Sequence, residues 1–583
     1  MKDKSLYSEE FDDLYSSKQG ALQESEYVFL KGNNLEERFR ELKYVNFHIG
    51  EIGFGIGLNF LSICKAWLEK TQNNQILEFT SFDKYLFKLK DFKKQIQLMP
   101  ELIKYGLEFE KFYPHNILGT QRISLFEGRV LLNLVIGDIA VTKEYLSSLK
   151  QVDAWFLDGF SPTKNPDLWT RDLFHAISET CTSDSTFATY TSSGSVKKNL
   201  IDSGFAVEKV KGFSNKRHML RGKSRSKKIY IPSNEKKVAI IGAGITGCTL
   251  AYVLSKRGMK VDLFEKSESI CTGASSHNLL VTYPRLSAHD TAFGRFSIQS
   301  YLYAINFYEN LKTKAWKKTG VLMLSHDEAS KKREESLLKK RSDGKIYQYV
   351  SAKKASEISG ISMRYDGLYF KDAGYILPRD MCEFLVDVPN VEVSVSSVVE
   401  NISKENGKFN VTINDNTFEY SDVCLCTGSE TNKLISLEGF NIKRGQVTHI
   451  KSENSISNVK VPICAKGYIS PEINGIHLVG SSYSNLIHTE IEDVEHASNL
   501  ENLKIIYDED VFVDSGKAGI RAVSKDHVPI VGKYNDLYIN TCHGSKASVT
   551  SPISAEIIAS TIVNGSLPLD KRELESLSPE RFN

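Results

Sequence analysis

The sequence predicts an α/β protein of two nucleotide-binding units in series, the second interrupted by an inserted α+β region that contains an antiparallel sheet. Three observations predict it. Two glycine-rich loops, EIGFGIG at Glu51–Gly57 and GAGITG at Gly242–Gly247, each stand between an apolar strand-like run and a helical one. Apolar runs alternate with helical patterns through the first half, as in a mostly parallel sheet covered by helices. The chain, at 583 residues, also exceeds what one hydrophobic core ordinarily holds.

In chain order the expected strands of the first half are Phe47–Ile52, Leu77–Phe82, Val130–Ile136, Ala154–Leu157 and Thr186–Tyr190. A run of twenty residues, KVKGFSNKRHMLRGKSRSKK at Lys209–Lys228, then carries many basic side chains and no acidic one. It is open to two readings: a solvated linker extended by self-repulsion, or a grip on a phosphate backbone. A new strand follows Pro232 at Lys237–Ile241, so the expected division is 1–222, a basic linker 223–236, and 237–583. Beyond Cys271, alternating stretches such as Val391–Val399 and Phe409–Ile413 suggest the inserted antiparallel sheet.

Composition narrows the function class. The chain is 41% hydrophobic and 25% charged, the balance of a soluble globular protein, and has no apolar stretch long enough to span a bilayer. Its N-terminus, MKDKSLYSEEFDDLYSS, lacks the apolar core of a secretory signal, which predicts a cytoplasmic protein. Nine cysteines without zinc-type or redox-type spacing are expected to be small buried hydrophobes, and no metal is expected. The net charge of +2 gives no global attraction for a polyanion; only the basic run does.

In the first loop a strand leads into Gly53, Gly55 and Gly57 and then into a helix. Glycines there let the backbone turn tightly and approach a ligand. Asp83 ends the next apolar run, where a carboxylate accepts ribose hydroxyls, and Asp138 follows the third. Glu51 opens the loop with a carboxylate that repels a pyrophosphate but suits a cationic ligand. The fourth run, VDAWFLDGFSPTKNPDLW, delivers Asp158 to the same sheet edge, where it is placed to take the proton of an amine or simply to cap the following turn. This half resembles the class I methyltransferases that bind S-adenosylmethionine. The resemblance implies that the glycines approach the methionine part, Asp83 the ribose and Asp138 the adenine.

The second loop carries the whole dinucleotide fingerprint: strand Val238–Ile241, Gly242, Gly244, Gly247, a helix through Leu254, and a second strand ending at Glu265. Later segments resemble the D-amino-acid oxidase and glycine oxidase group, which implies FAD. They are GASSHNLLVTYPRLS, VCLCTG, RGQV, GIRAVSKDHVPIVG and HGSKASVTSP, and they add Ser275, Gly428, Gly544, Ser545 and Lys546 to the expected cofactor contacts. Ala547 stands where members of that group often have glycine. By the same resemblance Arg521 holds a substrate carboxylate, with Tyr468 as its pocket neighbour.

The order of all these motifs resembles the family of tRNA 5-methylaminomethyl-2-thiouridine biosynthesis bifunctional proteins, over nearly the whole chain. The resemblance implies an N-terminal Rossmann-like methyltransferase domain, then an FAD-binding Rossmann domain with an inserted substrate domain. It also implies two steps on the wobble uridine in the anticodon loop of tRNA. In the first, oxidation and hydrolysis remove the carboxymethyl group of a 5-carboxymethylaminomethyl side chain as glyoxylate, with dioxygen reoxidising the flavin. The second methylates the amine that results. Lys216 and Arg217 are then expected on the tRNA track. A bifunctional enzyme acting on free small amines, and an RNA-binding scaffold without cofactors, are the rival readings.

Overall fold

The computed structural model describes residues 20–230, 236–340 and 344–582, and the backbone of 7–8 and 13–14. The expectations resting on the N-terminal leader and on residues 231–235 of the linker fall mostly or wholly outside these. The chain divides into two compact units, Met1–Glu235 with Lys256–Gly258 and Ala559–Lys571, and Lys236–Ser255 with Met259–Ile558 and Arg572–Asn583. No single point in the sequence therefore separates them. Among the described residues no helix is long and apolar enough to cross a membrane.

The first unit is built on an eight-stranded sheet. Its strands are β1 (Asn46–Ile52), β2 (Ile76–Asp83), β3 (Gly119–Leu125), β4 (Val130–Ile136), β5 (Val152–Leu157), β6 (Cys181–Thr189), β7 (Phe205–Val210) and β8 (Met219–Ser224), in the order β3-β4-β2-β1-β5-β6-β8-β7. The five central strands run parallel and are buried almost throughout, as their continuous apolar runs require. Trp67 and Trp155 fill the core, and Gly50 is glycine because a Cβ there would lie 2.6 Å from the Trp155 ring.

One expectation is corrected here. Most of the basic run is not a linker: β8 extends to Ser224, beyond the expected domain end, and pairs antiparallel with both β6 and the edge strand β7. Met219 and Leu220 are buried and hold this hairpin to the sheet, while Lys209, Lys211, Arg217 and Lys223 are exposed.

The second unit has a six-stranded sheet whose central strands are β9 (Lys237–Ile241), β10 (Lys260–Phe264), β11 (Val391–Ser394), β12 (Asp422–Leu425) and β17 (Leu537–Thr541), in the order β11-β10-β9-β12-β17-β16, where β16 is Ile530–Tyr534. A second, mixed sheet of eight strands includes β13 (Phe440–Lys451), β14 (Ile476–Gly480) and β15 (Val513–Ser524). The stretch expected as one strand at Val391–Val399 is two. Ser396, with φ of 50°, breaks it, so β11 pairs parallel with β10 and a separate strand, Val399–Glu405, joins a small antiparallel sheet.

Candidate functional site

The carboxyl ends of the parallel strands gather the predicted residues in each unit, the edge at which open α/β sheets bind ligands. In the first unit β1 ends before Gly53, β2 at Asp83, β4 before Asp138, β5 before Asp158 and β6 before Tyr190. All five residues line one cavity of about 570 Å³, a size suited to a nucleoside-containing ligand. A Cβ on Gly53 would meet the Asp158 carbonyl oxygen at 2.3 Å, and one on Gly57 the Phe54 ring at 2.9 Å, so these two are glycines for the backbone's own sake. The Asp83 carboxylate accepts the Gly55 N–H at 2.7 Å and the Tyr85 N–H at 3.2 Å, which fixes its plane and leaves further lone pairs for a ligand. Burial raises its pKa to about 6 against those bonds.

Glu51 is placed differently from the expectation. It is fully buried, and both its oxygens are taken within the protein, one by the Asn59 amide at 2.9 Å and the other by the Ser81 hydroxyl at 2.6 Å. The cavity wall is instead formed by Asn59, on the first turn of α1 (Leu58–Lys70), which also donates to Asp158 Oδ2 at 2.7 Å. Burial raises Glu51 to about 8 and Asp158 to about 7, the Asn59 bond opposing the rise at each. A carboxylate with a pKa near 7 and a face on a cavity can exchange protons at neutral pH. Asp138 lines the same cavity, but its carboxylate is half-exposed, accepts the Ala140 N–H at 3.0 Å as a helix cap and lies 3.7 Å from Lys84.

Lys216 was expected on an RNA track. Its ammonium pairs with Glu24 at 2.6 Å and sits 4.8 Å from the Tyr190 ring centroid, all three on the cavity wall. Tyr190 is held by a bond from its hydroxyl to the Gly159 carbonyl at 2.9 Å and by the edge of Trp169. Arg217 is exposed beside it.

In the second unit, β9 runs into Gly242 and then into α2 (Ile245–Lys256), and β10 ends before Glu265, whose carboxylate accepts the Ala243 N–H at 3.0 Å. A Cβ on Gly242 would lie 2.6 Å from the Cys426 carbonyl, and one on Gly247 would lie 1.9 Å from the Gly242 carbonyl. A Cβ on Gly244 would meet only the Ser275 hydroxyl, at 3.3 Å, so the space beside it at the helix N-terminus is open. Ser275 accepts the Ile245 N–H at 3.1 Å, while Gly428 follows β12 and Gly544 follows β17, each in the left-handed region. The neighbouring Ser545 is exposed. Ala547 begins the helix α3 (Ala547–Val563), a conformation alanine favours, so the absence of glycine there is no obstacle. Pro552 inside α3 leaves the Ser548 carbonyl without an intrahelical donor, and the Tyr308 hydroxyl supplies one at 2.8 Å.

Arg521 lies on β15, opposite Lys443 of β13, and its guanidinium donates to the Ser481 hydroxyl at 2.8 Å. It crosses Gly445, where a Cβ would stand 2.0 Å from the guanidinium. Burial lowers the Arg521 pKa, and Tyr468 and Tyr483 are its electrostatic neighbours. The RGQV segment has separate tasks. Arg444, fully buried, pairs with Glu495 and donates to the His488 carbonyl at 2.9 Å, so it pins the following loop, while Gly445 makes room for Arg521. Lys546 lies with its ammonium 3.1 Å from the Tyr283 ring centroid and 3.3 Å from the Tyr283 carbonyl; burial pushes it down to about 7.

A family model of FAD-dependent oxidoreductases matches residues 237–561, and one of S-adenosyl-L-methionine-dependent methyltransferases matches residues 100–225. The chain is 31% identical over 617 residues to the tRNA 5-methylaminomethyl-2-thiouridine biosynthesis bifunctional protein MnmC of Methylobacillus flagellatus, covering 99% of this chain and 94% of that one. With the protein of the same name from Idiomarina loihiensis it shares 34% over 587 residues, covering 98% and 96%. The chain belongs to the MnmC family. As a member it is a bifunctional enzyme with an FAD-dependent oxidoreductase domain and an S-adenosylmethionine-dependent methyltransferase domain. Glycine oxidases from Bacillus cereus (22% identical, TM-score 0.50, 56% of this chain and 95% of that one) and Geobacillus kaustophilus (18%, 0.51, 59% and 99%) share the fold of the second unit.

The residues present in this MnmC-family chain fit both cofactors. For FAD, Gly244 opens the helix N-terminus and Glu265 closes the second strand, while His277 Nδ1 and Thr282 Oγ1, in the segment after Ser275, are buried with no hydrogen-bond partner among the described residues. For S-adenosylmethionine, Asp83, Asp138 and Asn59 face one cavity. Replacing Gly247 with alanine should drive a methyl group into the Gly242 carbonyl. The purified variant is expected to lose most of its flavin absorbance while still binding S-adenosylmethionine; full flavin content would show that the loop tolerates the change.

Sequence reasoning missed Asn59, Glu24 and Ser25. Asn59 was hidden inside an ordinary amphipathic pattern, and Glu24 and Ser25 come from a helical segment, Ala21–Lys31, with no motif of its own.

Proposed function

We propose that this chain modifies tRNA at the wobble uridine in two consecutive steps. The first converts 5-carboxymethylaminomethyl-2-thiouridine to 5-aminomethyl-2-thiouridine, and the second converts that to 5-methylaminomethyl-2-thiouridine. The carrying observation is that one chain holds a partly buried arginine on the oxidoreductase side and a partly buried carboxylate of pKa about 7 facing the methyltransferase cavity. The first suits the carboxylate of an N-substituted glycine, the second the amine left when that glycine unit is removed.

When bound, FAD supplies a hydride acceptor and S-adenosylmethionine an electrophilic methyl group. In the first step Arg521 clamps the substrate carboxylate and so fixes the adjacent C–N bond, with Tyr468 beside it. The glycyl carbon loses a hydride, its nitrogen loses a proton, and water splits the resulting imine into glyoxylate and a primary amine. In the second, Asp158 orients the amine and takes its proton as the nitrogen–carbon bond forms and the sulfur–carbon bond breaks. Tyr190 and Lys216 form the rim over which a splayed base would enter.

The exposed cations of the β7–β8 hairpin are the proposed phosphate track. Neutralising Lys216, Arg217 and Arg221 together is expected to weaken tRNA binding about tenfold at low salt and flatten its salt dependence. Two of the three already have carboxylate partners, Glu24 and Glu208, which limits the loss. Unchanged binding across a salt series would remove this role.

Incubating hypomodified tRNA with the protein, with and without S-adenosylmethionine, and identifying the nucleosides by mass tests the whole reading. The aminomethyl nucleoside should accumulate without the methyl donor and the methylaminomethyl one with it. Equal turnover of free sarcosine or glycine would favour a small-amine enzyme instead.

A further inference from the structure

We infer that Asn59 is a positioning residue of the methyl-transfer step: it holds the Asp158 carboxylate in the orientation that receives the substrate amine. This rests on the proposed role of Asp158.

Both N–H donors of the Asn59 amide are used, and its carbonyl accepts one bond. Its NH2 group donates to Glu51 Oε1 at 2.9 Å and to Asp158 Oδ2 at 2.7 Å, and its carbonyl accepts the Ser25 hydroxyl. With carboxylates on one side and a hydroxyl donor on the other, the amide has one orientation that pairs all three. Glu51 is itself anchored by Ser81, so the chain Ser81–Glu51–Asn59–Asp158 runs from the fully buried interior of the sheet to the cavity. No protein group is seen to bond Asp158 Oδ1 among the described residues, which leaves that oxygen for a ligand. Aspartate at position 59 would place three carboxylates together, and alanine would release Asp158 to rotate. Glu51 is thus a foundation for Asn59 rather than a direct ligand contact, which accounts for a buried carboxyl group at the head of the glycine loop.

Glu24 and Lys216 from the rim and Glu51 from β1 act electrostatically on Asp158, and Asp83, Lys84, Asp138 and Asp167 line the same cavity. None of them donates a hydrogen bond to the Asp158 carboxylate, so Asn59 supplies the bond that favours the ionised form. Deleting such a bond raises a carboxyl pKa.

The test uses the full-length holoenzyme and tRNA that already carries the aminomethyl group. Asn59→Ala is expected to lower the methylation kcat at pH 7 about thirtyfold and to move the acid limb of its pH profile up by about one pH unit, the scale of one charge-assisted hydrogen bond. Affinity for S-adenosylmethionine, measured by calorimetry, should stay within about threefold. Asn59→Ser, which keeps one donor, should recover part of the rate and part of the shift. An unmoved acid limb with normal cofactor affinity overturns the inference, as does loss of S-adenosylmethionine binding in both variants, which would make Asn59 a cofactor ligand. Undiminished methylation by Asp158→Ala would instead bring down the reading beneath it.

Discussion

Arg521→Ala is expected to abolish the oxidative step, lowering its rate at least about a hundredfold, while flavin content and methylation of pre-formed aminomethyl tRNA persist. A hundredfold corresponds to about 2.7 kcal/mol, a modest demand on a guanidinium that would pair bidentately with a carboxylate in a partly desolvated site. The structure gives Arg521 little else to do: it makes one hydrogen bond, to Ser481, and no ion pair with a carboxylate is seen among the described residues. Arg521→Lys keeps the charge but loses the fork, and should restore less than a tenth of the rate. Gly445→Ala offers an independent approach to the same group. Its Cβ would stand 2.0 Å from the guanidinium, so the arginine must swing away, and the oxidation should weaken with no charge removed. Rapid flavin reduction by carboxymethylaminomethyl tRNA in Arg521→Ala would mean that another group binds the carboxylate.

What could be read from the sequence depended on how local each feature is. The loop Gly242–Gly247 with Glu265 was legible because strand, turn and helix N-terminus are consecutive, and packing forbids a side chain at Gly242 and Gly247. The ends of β2, β4 and β5 were legible for the same reason: an apolar run delivers its last residue to the sheet edge. The basic run was harder. Met219 and Leu220 are the buried apolar residues of β8, too few to show a strand's alternation among lysines and arginines. Nothing in the residue type at Ser396 announces the left-handed turn that divides Val391–Val399. Roles assembled across long separations were invisible. Asn59 joins Glu51 to a carboxylate 99 positions later and receives the hydroxyl of a serine 34 positions earlier, and Lys216 folds back onto Glu24, 192 positions away.

Asp158→Asn should separate the two halves from the other side. It keeps the size of the side chain but removes the base, so the amine stays protonated and its lone pair is unavailable to the methyl group. Methylation at pH 7 is expected to fall about a thousandfold, within the range for loss of a positioned general base together with its charge, while oxidation continues and aminomethyl tRNA accumulates. The sign of the pH dependence follows from burial. With its pKa raised to about 7, Asp158 is a carboxylate above that value and an acid below it, so wild-type methylation should rise through pH 7 and be largely lost by pH 5.5. Asp158→Asn should show residual activity without that limb, rising only where the amine itself loses its proton, near pH 10 by analogy with lysine. An ordinary aspartate would put the limb near pH 4, and a profile flat from pH 5 to 8 would mean that the charge of Asp158 does not enter the step. Glu51, at about 8, and Asp83, at about 6, also titrate in this range. Glu51→Gln, which retains an oxygen to accept the Asn59 amide, should leave the limb near 7 in place, and its disappearance there would transfer the titration from Asp158 to Glu51.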